Sequence, residues 1–266
     1  MPRKKPLISV RNLTKKYKDL KAVDDVTFDV EKGSIFAFLG PNGAGKSTTI
    51  RMLTTLTQPT SGSLTIDGID VTEHPHDARK RFGIVFQDPS LDEDLTAMEN
   101  LSYHAALYSV PKKLREKRIK QALELVELQE RKDDLVKTFS GGMKRRLEIA
   151  RGLIHHPQVL FLDEPTTGLD PQTRTKIWNH IQALNKKEKL TIFLTTHYMP
   201  EAEAVADRIA VIDHGTIKAQ GTLADLKEQT KAKDLDEAFL NLTGRELRDE
   251  KGDNNHAQMR LARRLR

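Results

Sequence analysis

Nine residues, Gly40-Pro41-Asn42-Gly43-Ala44-Gly45-Lys46-Ser47-Thr48, constrain this chain more than any other stretch of its sequence. They fit the pattern G-x-x-x-x-G-K-[ST], between a continuous apolar run at 35–39 and a segment that reads as a helix over 46–55. The glycines let backbone N–H groups wrap a phosphate, and the helix start adds positive potential. Lys46 can reach the β- and γ-phosphates of a nucleotide, and the Ser47 hydroxyl can ligate Mg²⁺. The unit also dictates a fold class. A strand apolar on both faces is a strand buried on both faces, which belongs in a parallel sheet covered by crossover helices.

The remaining pattern agrees with an α/β fold. Val26, Phe28 and Val30 alternate with polar residues, and Leu64, Ile66 and Ile69 flank an Asp67-Gly68 turn, so the N-terminal part reads as strands. Apolar strands return at 159–162, 191–195 and 209–212, with helices expected at 143–154 and 173–185. Between them the period changes. From about 97 to 130 the residues Ile119, Ala122, Leu123 and Val126 share one helical face, so an all-helical segment near 97–138 reads as an insertion into the α/β core.

A phosphate loop needs an acidic partner at the end of a neighbouring strand. The run Val159-Leu160-Phe161-Leu162-Asp163-Glu164 supplies two carboxylates. Asp163 is placed to hold the magnesium, and Glu164 to orient or polarise an attacking water. Its ordinary pKa of about 4.3 makes it a weak base, so positioning should matter more than proton abstraction. A second glycine-bearing helix start, Phe139-Ser140-Gly141-Gly142-Met143, offers a second phosphate cradle. Gln87 follows a strand, Gly168-Leu169-Asp170 follows Glu164, and His197 follows the strand at 191–195.

Glycine loop, Gln87, Ser-Gly-Gly, Asp-Glu, Leu-Asp and His, in that order and spacing, resemble the ATP-binding subunit of ABC transporters over about residues 7–243. The resemblance implies a P-loop NTPase (RecA-like) core with an N-terminal antiparallel β subdomain, a helical subdomain inserted at about 88–158, and a charged tail at 244–266. ATP and Mg²⁺ are the implied cofactors. Tyr17 would stack on the adenine and Val23 line it; Gln87 would join Ser47 and Asp163 at the metal and report nucleotide state to the helical insertion. His197 would contact the γ-phosphate, beside Lys46 and Glu164. Ser140, Gly141, Gly142 and Asp170 would act across a two-fold homodimer interface, or one with a similar subunit, with two ATP molecules as glue.

Phe139 and Met143 stand where the family's signature usually has Leu and Gln. This variant, with Thr-Thr-Gly-Leu-Asp-Pro-Gln after Glu164 and Asp236-Glu237-Ala238-Phe239-Leu240 near the end, looks like exporter subunits of the drug-resistance and nodulation-factor type. The function implied is ATP-driven export through separate transmembrane permease subunits, of a drug-like molecule, a lipid or a glycan, from the cytoplasmic face of the cell membrane. The alternatives are a soluble ABC-type ATPase acting on nucleic acid or ribosomes, and an import cassette.

Composition limits the alternatives. The 266 residues carry 44 Lys plus Arg against 38 Asp plus Glu, too even a balance to suggest a nucleic-acid partner. The absence of Cys removes disulfides and thiolate zinc sites, and no apolar run approaches the roughly 20 residues of a membrane span. No secretory signal opens the chain, so a cytoplasmic location is expected. Basic runs at 112–120 and 256–266 read as solvated faces, with an anionic lipid surface as the alternative. His74, His76, His155 and His156 lack the carboxylate or Cys company of a metal site, and Trp178, at helical spacing from Ile181, reads as core or interface.

Overall fold

The computed structural model describes residues 5–244; the basic run at 256–266, with the rest of the charged tail beyond Gly244, lies outside the described residues. The chain begins with a hairpin, β1 (Ile8–Tyr17) and β2 (Leu20–Val30), followed by the short central strand β3 (Ile35–Leu39), α1 (Lys46–Leu53), β4 (Ser61–Ile66), β5 (Ile69–Asp70), α2 (Pro75–Arg79) and β6 (Phe82–Val85). Next come α3 (Ala97–Leu107), α4 (Lys112–Leu125), two 3₁₀ turns (Gln129–Arg131 and Val136–Thr138) and α5 (Gly141–Leu153). The final part runs β7 (Val159–Asp163), α6 (Pro171–Glu188), β8 (Thr191–Thr196), α7 (Met199–Val205), β9 (Arg208–Asp213), β10 (Thr216–Gly221), α8 (Leu223–Thr230) and α9 (Leu235–Thr243).

Two sheets result. One is antiparallel, in the order β2-β1-β4-β5; the other, β10-β9-β3-β8-β7-β6, is parallel except for its edge strand β10. The expected antiparallel N-terminal unit and α/β core are both present. Alternation along the inner strands explains their unbroken apolar runs. Phe36, Phe38, Phe161 and Phe193 point to one side, into a core shared with β1, β2, β4 and α1. Ala37, Leu39, Leu160, Leu162, Ile192 and Leu194 point to the other, under the helices. Both faces are dry, which is why no polar residue interrupts β3 or Val159–Leu162. Between the sheets Phe28, Phe36 and Phe193 stack with centroids 5.4 and 5.5 Å apart.

Between β6 and β7 the chain is helical: α3 and α4, then the two 3₁₀ turns, then α5. Ser109 turns left-handed (φ 54°) and Pro111 caps α4, so the ladder of α3 cannot continue. Thr96 starts α3 with a capping box to Glu99. The basic residues at 112–120 lie along α4, mostly exposed, with Ile119 buried as its anchor. Trp178 and Ile181 are core residues. Among the described residues no helix is long and apolar enough to cross a membrane.

Candidate nucleotide site

Parallel pairing fixes the place where chemistry can occur. Leu39 pairs with Thr196, Asp163 with Thr195, and Val85 with Leu162, so β3, β6, β7 and β8 end at one edge of the sheet. Ligands in open α/β sheets bind at that carboxyl edge. Each strand delivers one expected group to it: the glycine loop after β3, Gln87 after β6, Asp163-Glu164 after β7, and His197 after β8.

The loop is packed from beneath. A Cβ at Gly40 would stand 2.4 Å from the Ile212 carbonyl, and one at Gly45, where φ is +109°, would meet the Ala22 carbonyl at 2.5 Å. Neither position admits a side chain. Gly43, at φ +82°, faces open space, and Asn42, Gly43 and Ser47 are exposed at the rim beside Pro41, Ala44 and Thr48. The first turn of α1 has neither a side-chain cap nor an acidic residue, so its N–H groups and dipole are left for an anion from outside.

Lys46 is buried (5% exposed) and donates to the carbonyls of Gly40 (2.7 Å) and Pro41 (3.2 Å). Its ammonium lies 3.6 Å from Glu164 Oε1, and the other Glu164 oxygen lies 3.3 Å from His197 Nδ1. Burial lowers the Lys46 pKa from its ordinary value even though Glu164 and Asp163 oppose the shift. Burial would raise the Glu164 pKa, but the His197 contact and Lys46 outweigh it and hold it below the usual carboxylate range. Asp163 moves the other way. Burial raises its pKa, against the Thr195 hydroxyl that donates to it and the nearby Ser47 hydroxyl. A buried carboxylate with two hydroxyls beside it is a hard-oxygen donor set that fits Mg²⁺, and the metal's charge would keep Asp163 ionised.

Several residues of the site were not legible in the sequence. Thr195 donates to Asp163 Oδ1 (2.5 Å), while its hydroxyl and carbonyl oxygens both accept the Glu164 N–H at 3.1 Å. These bonds hold Glu164 in a left-handed conformation (φ 47°), the kind of backbone cost that persists where the surroundings over-determine it. Thr167 donates to Glu164 Oε2 (3.3 Å). Behind them the buried Glu201 accepts from Thr166 (2.5 Å) and Thr196 (3.1 Å) and lies 3.6 Å from Arg174. A threonine after a strand carries no spacing rule, and only the parallel register of β7 and β8 reveals these partners.

Other expected residues fall outside this cluster. Ser140 caps α5 by accepting the Met143 N–H, and Asp170 caps α6 by accepting the Thr173 N–H at 3.0 Å; the Thr173 side chain first and then this N–H lower the Asp170 pKa. They form a second group, because a Cβ at Gly142 would stand 2.3 Å from Thr173 Cγ2 and one at Gly141 3.5 Å from Leu169 Cδ2. Gln87 is exposed, with its carbonyl held by Arg145. Tyr17, at the end of β1, is 44% exposed with the Lys15 ammonium 5.0 Å from its ring centre. Val23, expected to line the base, lies beneath the loop. It is fully buried, its Cγ2 3.4 Å from where a Gly45 Cβ would stand, so it supports the loop from below and presents no surface to a base. His155 stacks on Tyr108 (4.0 Å), its pKa pushed down to about 4 chiefly by burial. Among the described residues no group of three or more His, Cys, Asp or Glu is arranged to hold a metal ion by itself.

Comparison with known proteins gives the same picture. Residues 23–167 match the model of the ABC transporter family. The chain is 46% identical over 216 residues to a Nod factor export ATP-binding protein I of Ralstonia nicotianae, covering 81% of this chain and 67% of that protein. It is 45% identical over 220 residues to a daunorubicin/doxorubicin resistance ATP-binding protein of Streptomyces peucetius, covering 83% and 66%. The chain thus spans about two thirds of the length of these relatives. Among solved structures, an ATP-binding subunit of an ABC transporter superposes with a TM-score of 0.80 at 32% identity, covering 89% of this chain and 99% of that one. A dimeric ATP-binding cassette in a post-hydrolysis state bound to ADP and Pi superposes with a TM-score of 0.73 at 29% identity, covering 81% and 98%.

Proposed function

The chain belongs to the ABC transporter family, and from that premise we propose that it is the ATP-hydrolysing subunit of an exporter. It binds ATP with Mg²⁺ on the glycine loop, pairs head to tail with a second copy or a similar subunit, and drives separate transmembrane subunits from the cytoplasmic face. A drug-like molecule, lipid or glycan is the cargo class that fits relatives whose names refer to Nod factor export and to daunorubicin/doxorubicin resistance.

One observation carries the reading: the Glu164 carboxylate sits between the Lys46 ammonium and the His197 imidazole at the end of β7. A triphosphate in the loop would take over the Lys46 contacts now made to Gly40 and Pro41. Ser47, Asp163 and Gln87 would hold the magnesium, which when bound neutralises charge developing on the phosphates. Glu164, its backbone fixed by Thr195 and its side chain by Thr167 and His197, orients the attacking water. With a carboxylate held below its usual pKa, alignment contributes more than proton abstraction. His197 then faces the transferred phosphoryl group. Ser140, Gly141, Gly142 and Asp170, already grouped at the starts of α5 and α6, are the surface a second subunit's nucleotide would meet.

The test is Glu164→Gln in the full chain. Turnover should fall to background while Mg-ATP drives a dimer detectable by light scattering, and a tagged copy should recover a polytopic membrane protein from detergent-solubilised membranes. A monomeric variant that hydrolyses ATP at the normal rate would refute the reading.

A further inference from the structure

The segment 86–90, which carries Gln87 away from β6, is mostly exposed, yet α5 holds it at both ends. Arg145, 7% exposed, donates through Nη1 to the Phe86 carbonyl (2.5 Å) and through Nη2 to the Gln87 carbonyl (3.0 Å). Glu148, 1% exposed and one turn on, accepts Arg145 Nη1 on Oε2 (2.9 Å). Its other oxygen accepts the Ser90 N–H (2.9 Å) and hydroxyl (3.3 Å). Arg151, further along α5, donates to the Ser90 carbonyl at 2.5 Å.

This is an unusual use of a buried ion pair. Desolvating two charges costs as much as their attraction returns, and an apolar pair of equal volume would hold a loop to a helix as well. Only a guanidinium fork opposite a carboxylate satisfies two consecutive carbonyls and an amide at once, and so fixes the path of the backbone on both sides of Gln87. Burial lowers the Arg145 pKa, opposed by Glu148 and then by Asp163, so the guanidinium lies within electrostatic reach of the carboxylate on the metal side. The same rigid helix begins at Gly141 with Ser140 as its cap.

We propose that Arg145 and Glu148 are positioning residues that latch the Gln87 segment to α5, so that a shift of Gln87 toward nucleotide in its own chain is passed to Ser140, Gly141 and Gly142, which face the nucleotide of the partner. The inference rests on the nucleotide reading above. It adds a mechanical element that neither phosphate site contains, joining the two sites through one helix. Because the grip is on backbone atoms, it acts whatever the Gln87 side chain contacts.

Arg145→Lys keeps the charge beside Glu148 but cannot bond two carbonyls and the carboxylate together. Nucleotide affinity should stay at the wild-type level while kcat falls roughly tenfold from misalignment. Amide hydrogen exchange gives the readout a merely structural residue would not move. In the wild type, Mg-ATP should slow exchange in the segments 86–91 and 140–144 together. In R145K the first should still respond and the second should not. Retention of both responses with wild-type kcat would overturn the latch. If R145K does not fold, Ser90→Ala, which loosens the far end from the exposed loop, is read in the same exchange experiment by the same criterion. A wild type that answers Mg-ATP in neither segment, and matches Lys46→Ala in doing so, would defeat the nucleotide reading and the latch with it. An intact response at the glycine loop with independent behaviour of the two segments would defeat the latch alone.

Discussion

Gly142→Ala should be destabilising, and the loss should be recoverable from the other side of the contact. A methyl at this position would stand 2.3 Å from Thr173 Cγ2, with Thr173 Cβ and Oγ1 each at 3.6 Å. Ordinary carbon contacts are about 3.5–4.0 Å, so α5 and α6 must part by more than an ångström or Thr173 must leave its rotamer. Overpacking of this kind costs about 1–3 kcal/mol. Replacing Gly in a helix returns at most about 1 kcal/mol, and less in a first turn. The net loss should therefore be about 1–2 kcal/mol. Thr173→Ser removes the offending methyl alone and keeps the N–H that Asp170 caps. A double-mutant cycle by urea unfolding of the nucleotide-free chain should give a favourable coupling of at least about 1 kcal/mol. Coupling within about 0.3–0.5 kcal/mol of zero, the range for independent sites, would refute the close approach of the two helices. Mg-ATP-dependent dimerisation should track the same rescue, because Ser140 and Asp170 lie at the helix starts that the methyl would separate.

Lys46→Ala should abolish tight nucleotide binding in a calorimetric titration, and normal affinity would remove the phosphate assignment from the loop. Glu164→Gln should also show a pH signature in unfolding without nucleotide. The Glu164 pKa is lowered in the fold, so its stabilisation is present above the unfolded value and fades as pH falls through the folded one. The variant should be less stable than the wild type near neutrality, and the two should converge in acid; a gap that widens in acid would contradict the His197 and Lys46 contacts.

The sequence was readable where physics is local or the pattern is saturated. The strand at 35–39, with both faces dry, cannot be mistaken for anything exposed, and the glycine loop after it has one chemical use. It was opaque where a residue's meaning depends on a distant partner. β10 is half exposed along its length, which blurs its alternation, and it is recognisable chiefly as the antiparallel neighbour of β9. Thr195 becomes a site residue only because it is opposite Asp163 across the β7–β8 pair. Arg145 and Glu148 look like any charged pair on a helix until the helix is seen lying against 86–90. Val23 likewise shows its packing beneath Gly45 only in the fold, because its place in the sequence says nothing of the loop that rests on it.

The sheet order has a consequence in time. β3, which launches the phosphate loop, is flanked by β8 and β9, strands that lie more than 150 residues later in the chain. At roughly 5–20 residues per second, a ribosome takes about 10–35 s between releasing the loop and releasing β9. For most of that interval, until β8 emerges, a five-residue apolar strand has neither lateral neighbour, and pairing at such sequence separation is slow even once they arrive. The earlier partner available to it is the aromatic face of the N-terminal sheet, where Phe28 already stacks on Phe36. If the antiparallel sheet forms first, its aromatic face would cover β3 on one side until the parallel sheet can close around it.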